Sequence, residues 1–195
     1  MEKIGHFLDV ENEKLFQKYK ALGYSNIEIS DLIAENIDVQ NILQNAAESW
    51  DGGYAMAGIM GHGDAFVLRD PSGIRPAFYY ADDEIVVIAS ERPAIQTAFN
   101  VKSSQVKEIT PGNALIIKRD GTWSEEQVRE PLPKTSCSFE RIYFSRGSDV
   151  DIYTERKKLG FQLTPVILNA IDSDIKNSVF SYIPNTAEVA FYGLI

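Results

Sequence analysis

Arg69-Asp70-Pro71-Ser72-Gly73-Ile74-Arg75-Pro76 is the stretch on which the fold turns. Aspartate, proline and glycine at its second, third and fifth places supply type I turn chemistry over residues 70–73. The apolar run 65–69 before it reads as a short strand. Residues 77–80 and 85–89 after it read as a hairpin around Asp82-Asp83. The turn therefore sits inside a run of mostly antiparallel strands.

Upstream, the pattern is helical. Leu15, Phe16, Tyr19 and Leu22 recur at helical spacing, with Gly23 as a stop. Ser25 and Glu28 form a capping-box pattern for a second helix, whose stripe is Ile29, Leu32 and Ile33. Asp38 caps a third, with Val39, Ile42, Leu43, Ala46, Ala47 and Trp50 on one face. These stripes read as core. Gly52-Gly53 ends the helical pattern, and residues 54–60 are small and apolar, suiting a strand buried on both faces. Downstream, residues 91–99 read as a helix with Pro93 in its first turn. A strand over 114–118 turns at Asp120-Gly121. Helices followed by antiparallel strands imply a layered α+β domain.

Composition shifts over 124–136, where Glu125, Glu126, Arg129, Glu130, Pro131, Pro133 and Lys134 resemble a linker. Beyond it, Leu159, Leu163, Val166, Ile167 and Ala170 predict a long amphipathic helix carrying Pro165. Residues 179–183 read as a strand, and 184–187 open another helix, the order of a first βα unit in a parallel sheet. The domain reading is 1–123, linker 124–136, and 137–195.

The net charge of −9 argues against a nucleic-acid binder, which would show a basic stripe. No apolar run is long enough to span a membrane, and the start has no signal-peptide core. One cysteine, Cys137, precludes an internal disulfide and fits a reducing, cytoplasmic compartment.

The 69–76 run, Ala89-Ser90-Glu91 and Pro111-Gly112 resemble the later half of a glutaminase domain of the N-terminal-nucleophile, αββα type. The run Cys137-Ser138-Phe139-Glu140-Arg141-Ile142-Tyr143-Phe144-Ser145-Arg146, with Tyr153, Arg156 and Leu159-Gly160, resembles the junction between the glutaminase and phosphoribosyltransferase domains of the amidophosphoribosyltransferase family. The resemblance covers nearly everything from Gly52 onward. It implies a partial glutaminase domain followed by the start of an α/β phosphoribosyltransferase domain. In that family glutamine yields ammonia, which displaces pyrophosphate from phosphoribosyl pyrophosphate, with magnesium, to give 5-phosphoribosylamine for purine synthesis.

The resemblance also sets limits. Such a glutaminase needs a terminal cysteine whose amine acts as base, and this sequence starts Met1-Glu2-Lys3. The expectation is an internal fragment, inactive alone, with no catalytic residue of its own and a tendency to homo-oligomerise through uncovered apolar surface. An iron–sulfur cluster at Cys137 is not supported, because the other ligand cysteines are absent. Asn185 and Thr186 stand where the family binds pyrophosphate; the competing reading is a simple helix cap. Arg69, Asp70, Gly73, Arg75, Ser90 and Glu91 read either as a scaffold beneath a glutamine pocket or as ion pairs and turn bonds. Tyr153 and Arg156 read as interdomain residues or as ordinary packing. His6 and His62 have no metal-ligand spacing. Two other readings stay open: a non-catalytic binding or regulatory module on the glutaminase scaffold, and another class II glutamine amidotransferase, against which the 137–160 junction speaks.

Overall fold

The computed structural model describes residues 2–195; Met1, where the sequence reading looks for a thiol, lies outside the described residues. The chain divides into two compact units. One runs through Ser90 and resumes over Lys107–Thr135; the other holds Glu91–Val106 and Ser136–Ile195.

The first unit begins with three helices, α1 (Glu2–Ala21), α2 (Asn26–Asn36) and α3 (Val39–Ala47). Gly23, at φ 89°, turns the chain out of α1. Ser25 and Glu28 form the expected reciprocal cap, and Asp38 accepts the Asn41 N–H at 2.9 Å. Leu22 departs from the expected stripe: it falls past the end of α1 and is 65% exposed.

Seven strands follow: β1 (Ala55–Ile59), β2 (Ala65–Arg69), β3 (Phe78–Ala81), β4 (Val86–Ala89), β5 (Lys107–Glu108), β6 (Asn113–Ile117) and β7 (Trp123–Gln127). They form two antiparallel sheets, ordered β1-β2-β6-β7 and β4-β3-β5. Side-chain alternation along β2 and β6 builds the layers. Phe66, Leu68, Ala114 and Ile116 join the α1–α3 stripes in one core. Val67 and Leu115 join Ala77, Tyr79 and Ile109 in a second core between the sheets. The register sets Val67 opposite Leu115 and Leu68 opposite Ala114, so a one-residue slip would exchange the two cores. The order of layers is helix, sheet, sheet.

Two expectations fail in this unit. β1 is an edge strand that alternates exposed and half-buried residues, rather than one covered on both faces, because only β2 flanks it. Gly58 on β1 lies opposite Phe66, whose ring would come 2.6 Å from any Cβ there. The linker reading also fails at its start, where residues 123–127 form β7 along β6. The rest of it is pinned down as well. Arg129 donates to the carbonyls of Ala47 (2.7 Å) and Trp50 (3.0 Å), and Leu132 N–H donates to Pro71 O (2.8 Å).

The second unit holds α4 (Arg92–Phe99), α5 (Val150–Ala170) and α6 (Glu188–Leu194). Pro93 sits in the first turn of α4, where its missing N–H costs nothing. A single π-type turn, Glu140–Phe144, leads towards α5. Pro165 lies within α5 without ending it. α5 and α6 pack backbone on backbone: a Cβ at Gly160 would collide with the Ala190 carbonyl, and one at Gly193 with the Lys157 carbonyl. The expected strand at 179–183 does not form. A strand needs a ladder partner, and this unit contains no other strand among the described residues.

Candidate functional site

The 69–76 turn is built around two buried charges. Asp70 is 0% exposed and accepts four backbone N–H groups. Its Oδ1 takes those of Ser72 (3.1 Å) and Ile74 (2.9 Å); its Oδ2 takes those of Arg75 (3.0 Å) and Tyr54 (3.3 Å). Asp70 O in turn accepts from Gly73 and Gly112, each at 3.1 Å. Arg69, 1% exposed, donates to the carbonyls of Arg75 (2.8 Å), Ile109 (2.6 Å) and Gly73 (3.2 Å) and to Glu108 (2.8 Å). Burial pushes the Glu108 carboxyl up, but Lys134 and Arg69 outweigh it and hold the group below its ordinary value.

The glycines here are required by position. Gly73 has φ 59°, and a Cβ on it would lie 2.9 Å from the Pro111 ring. Gly112 has φ 82°, and a Cβ would lie 2.5 Å from Arg129 O. The turn and the 110–112 block, separate in sequence, are thus one packed object. Arg75 is exposed at its side chain and tied in through its N–H and carbonyl. All of these Arg69 and Asp70 bonds go to scaffold. The arrangement fixes backbone geometry, and no nucleophile stands beside a base within it.

Apart from Ser90, the remaining named residues lie in the second unit. Glu91, at the N-cap position of α4, pairs with Arg146. Ser90, which closes the first unit's segment, is exposed. Arg92 reaches Asp151 (2.9 Å) and Asp149 (3.5 Å), and Asp149 caps α5 through the N–H groups of Asp151 and Ile152. Arg156, 6% exposed, donates to the carbonyls of Arg141 (3.1 Å) and Ser145 (2.7 Å), fastening the 140–145 turn to α5. Burial lowers the pKa of its guanidinium against the raising influence of Glu155. Tyr153 is 40% exposed. Asn185 and Thr186 lie in an exposed turn before α6, and neither side chain caps that helix. Cys137 is half-buried and free.

One cluster escaped the sequence reading. His62, which shows no metal-ligand spacing in the sequence, has Nε2 3.1 Å from Oδ2 of the fully buried Asp64. Lys118 also pairs with Asp64, and the Arg119 N–H donates to it at 2.9 Å. Burial raises the Asp64 pKa; Lys118, the Arg119 N–H and the neighbouring His62 ring outweigh it, and the net shift is downward. Only the short separation of His62 and Asp64 hinted at this, since Lys118 lies 54 residues away. Among the described residues, no group of three or more His, Cys, Asp or Glu could hold a metal ion. No described helix is long and apolar enough to cross a membrane.

No family model matches the chain. Curated relatives do match. The amidophosphoribosyltransferase of Lachancea kluyveri is 29% identical over 164 residues, covering 78% of this chain and 31% of the relative. That of Bacillus subtilis is 32% identical over 141 residues, covering 70% and 28%. The chain therefore spans about three tenths of the length of the curated relatives it matches. Among solved structures, the glutamine phosphoribosylpyrophosphate amidotransferase of B. subtilis, complexed with ADP and GMP, superposes with a TM-score of 0.59 at 26% identity, covering 94% of this chain and 41% of that one. A structure described as the allosteric regulatory enzyme of purine biosynthesis superposes with a TM-score of 0.62 at 24% identity, covering 94% and 40%, a likeness of fold. In sequence and fold the chain is similar to part of the amidophosphoribosyltransferases.

Proposed function

We infer that the chain belongs to the amidophosphoribosyltransferase family and carries the later glutaminase scaffold with the junction to the transferase. The whole enzyme would release ammonia from glutamine and use it on phosphoribosyl pyrophosphate to make 5-phosphoribosylamine. One observation carries this reading. The family-like 69–76 run is a rigid staple, closed by the buried Asp70 carboxylate and locked to the family-like 110–112 block through Gly112 and Pro111. A scaffold of this kind positions neighbouring catalytic groups without supplying any, so the 195-residue chain alone is inactive.

In the longer enzyme, Asn185 and Thr186 would face pyrophosphate, and Tyr153 and Arg156 would lie where the two domains meet. Magnesium would belong to the phosphoribosyl pyrophosphate site. The described residues have no carboxylate cluster fit to hold it. A cytoplasmic, homo-oligomeric enzyme completes the proposal. The test is the reading frame of the native transcript. A cysteine-led segment upstream of Met1 and a two-aspartate loop downstream of Ile195, both in frame, support it. In-frame stop codons on both sides would overturn it in favour of a self-standing module.

A further inference from the structure

The sequence holds two Asp-Gly pairs, Asp51-Gly52 and Asp120-Gly121, and all four residues are exposed. An aspartate followed by glycine can close a five-membered ring on itself, because no side chain shields the glycine nitrogen. Whether it does so in a folded chain depends on what holds the two reacting groups. At Asp120-Gly121 both are held. The Gly121 N–H donates to Lys118 O (2.9 Å) in the turn between β6 and β7. Oδ1 of Asp120 accepts the Thr122 hydroxyl (2.6 Å) and N–H (2.9 Å), and these bonds hold the carboxyl below its ordinary value. Ring closure there must break the turn, and it needs the protonated acid that those bonds disfavour.

At Asp51-Gly52 nothing competes. The Gly52 N–H donates to Oδ1 of Asp51 at 2.8 Å and to no other group among the described residues. The nitrogen therefore already faces the carboxyl, whose Cγ lies one bond beyond that oxygen. Neither the Asp51 nor the Gly53 N–H makes a hydrogen bond among the described residues, so the loop can turn to bring nitrogen onto carbon. The loop also runs between two anchors: Arg129 holds Trp50 O (3.0 Å), and Asp70 accepts the Tyr54 N–H (3.3 Å).

We propose that Asp51 is a site of spontaneous isomerisation, and that the product is a substrate for an isoaspartate-directed methyltransferase. The Gly52 nitrogen attacks Cγ of the protonated carboxyl. The N–Cγ bond forms, the Cγ–OH bond breaks, and the amide proton leaves with the hydroxyl as water. Water then opens the succinimide. Addition at Cγ restores aspartate; addition at the backbone carbonyl leaves an isoaspartyl link, one carbon longer in the main chain, beside a free α-carboxylate. No other reagent takes part. The extra carbon between the two anchors loosens the Tyr54–Asp70 bond. The reacting atoms belong to adjacent residues, and the proposal does not rest on the enzymatic reading.

The test ages the 195-residue chain folded and in urea. Trypsin then separates the two pairs into fragments 21–69 and 120–129. Methyl transfer from S-adenosylmethionine by an isoaspartate-directed methyltransferase counts the isoaspartate, and electron-transfer fragmentation places it. In the folded chain it is expected to form at 51 at least ~10-fold faster than at 120, the scale of giving up two or more hydrogen bonds. In urea the two rates are expected to converge. Asp51→Glu, which would need a six-membered ring, is expected to abolish the signal from 21–69 with an unchanged circular dichroism spectrum. No isoaspartate at 51, or equal rates at the two pairs in the folded chain, overturns the proposal. So does a 21–69 signal that survives Asp51→Glu. A gap of the same size in urea would place the cause in the sequence rather than the fold, and overturns it as well. The isomerised fraction is expected to unfold at lower urea and to recover after repair by the methyltransferase; an unchanged midpoint overturns the loosening of the Tyr54–Asp70 bond.

Discussion

Replacing Asp70 with asparagine tests the staple without changing its shape. The carboxylate serves four N–H groups, two on each oxygen. The asparagine carbonyl can keep one pair, and its NH2 then faces the other pair donor to donor. With Asp70 at 0% exposure, water cannot take over. Each stranded buried N–H costs about 1–3 kcal/mol, so two cost roughly 2–6 kcal/mol. That is a large part of the ~5–15 kcal/mol that holds a domain folded, and it lowers Tm by about 10 °C. Urea unfolding followed by tryptophan fluorescence reads this directly. Both tryptophans lie in the first unit, and Trp50 packs against Tyr54, whose N–H is one of the four donors. A midpoint shift equivalent to less than about 0.5 kcal/mol, the scale of a neutral surface change, would refute the staple.

Gly160→Ala and Gly193→Ala each drive a methyl into a facing backbone and are expected to release α6 from α5. Faster hydrogen exchange across Glu188–Leu194 checks it. Asp64 titrates below its ordinary 3.8 in the folded chain. Its contribution is therefore fully present above that value and is lost as pH falls below it. Asp64→Asn should flatten the decline in stability below about pH 4, measured as the urea midpoint against pH. Arg156→Met should loosen the 140–145 turn, whose Arg141 and Ser145 carbonyls it holds, and increase proteolytic nicking there while leaving the urea midpoint of the tryptophan-bearing unit unmoved.

Local rules made much of the fold legible. Ser25, Glu28 and Asp38 act as caps because capping depends on neighbours within one turn. The 70–73 turn and the 78–89 hairpin follow from short-range chemistry in the same way. Partners far along the chain were not legible. Glu108 and Lys118 meet Arg69 and Asp64 across 39 and 54 residues, and no spacing rule announces such pairs. Gly160 stood out in the sequence only beside Leu159; its cause, a backbone crossing with α6, is tertiary. The failure at 179–183 has the opposite origin: its strand propensity is real, but a ladder needs a second strand.

The central claim is that this chain is scaffold without chemistry. The direct measurement is incubation of the purified 195-residue chain with glutamine, phosphoribosyl pyrophosphate and magnesium, assayed for ammonia and pyrophosphate. The account predicts neither product above a heat-killed control. Glutamine-dependent ammonia release above that control would contradict it.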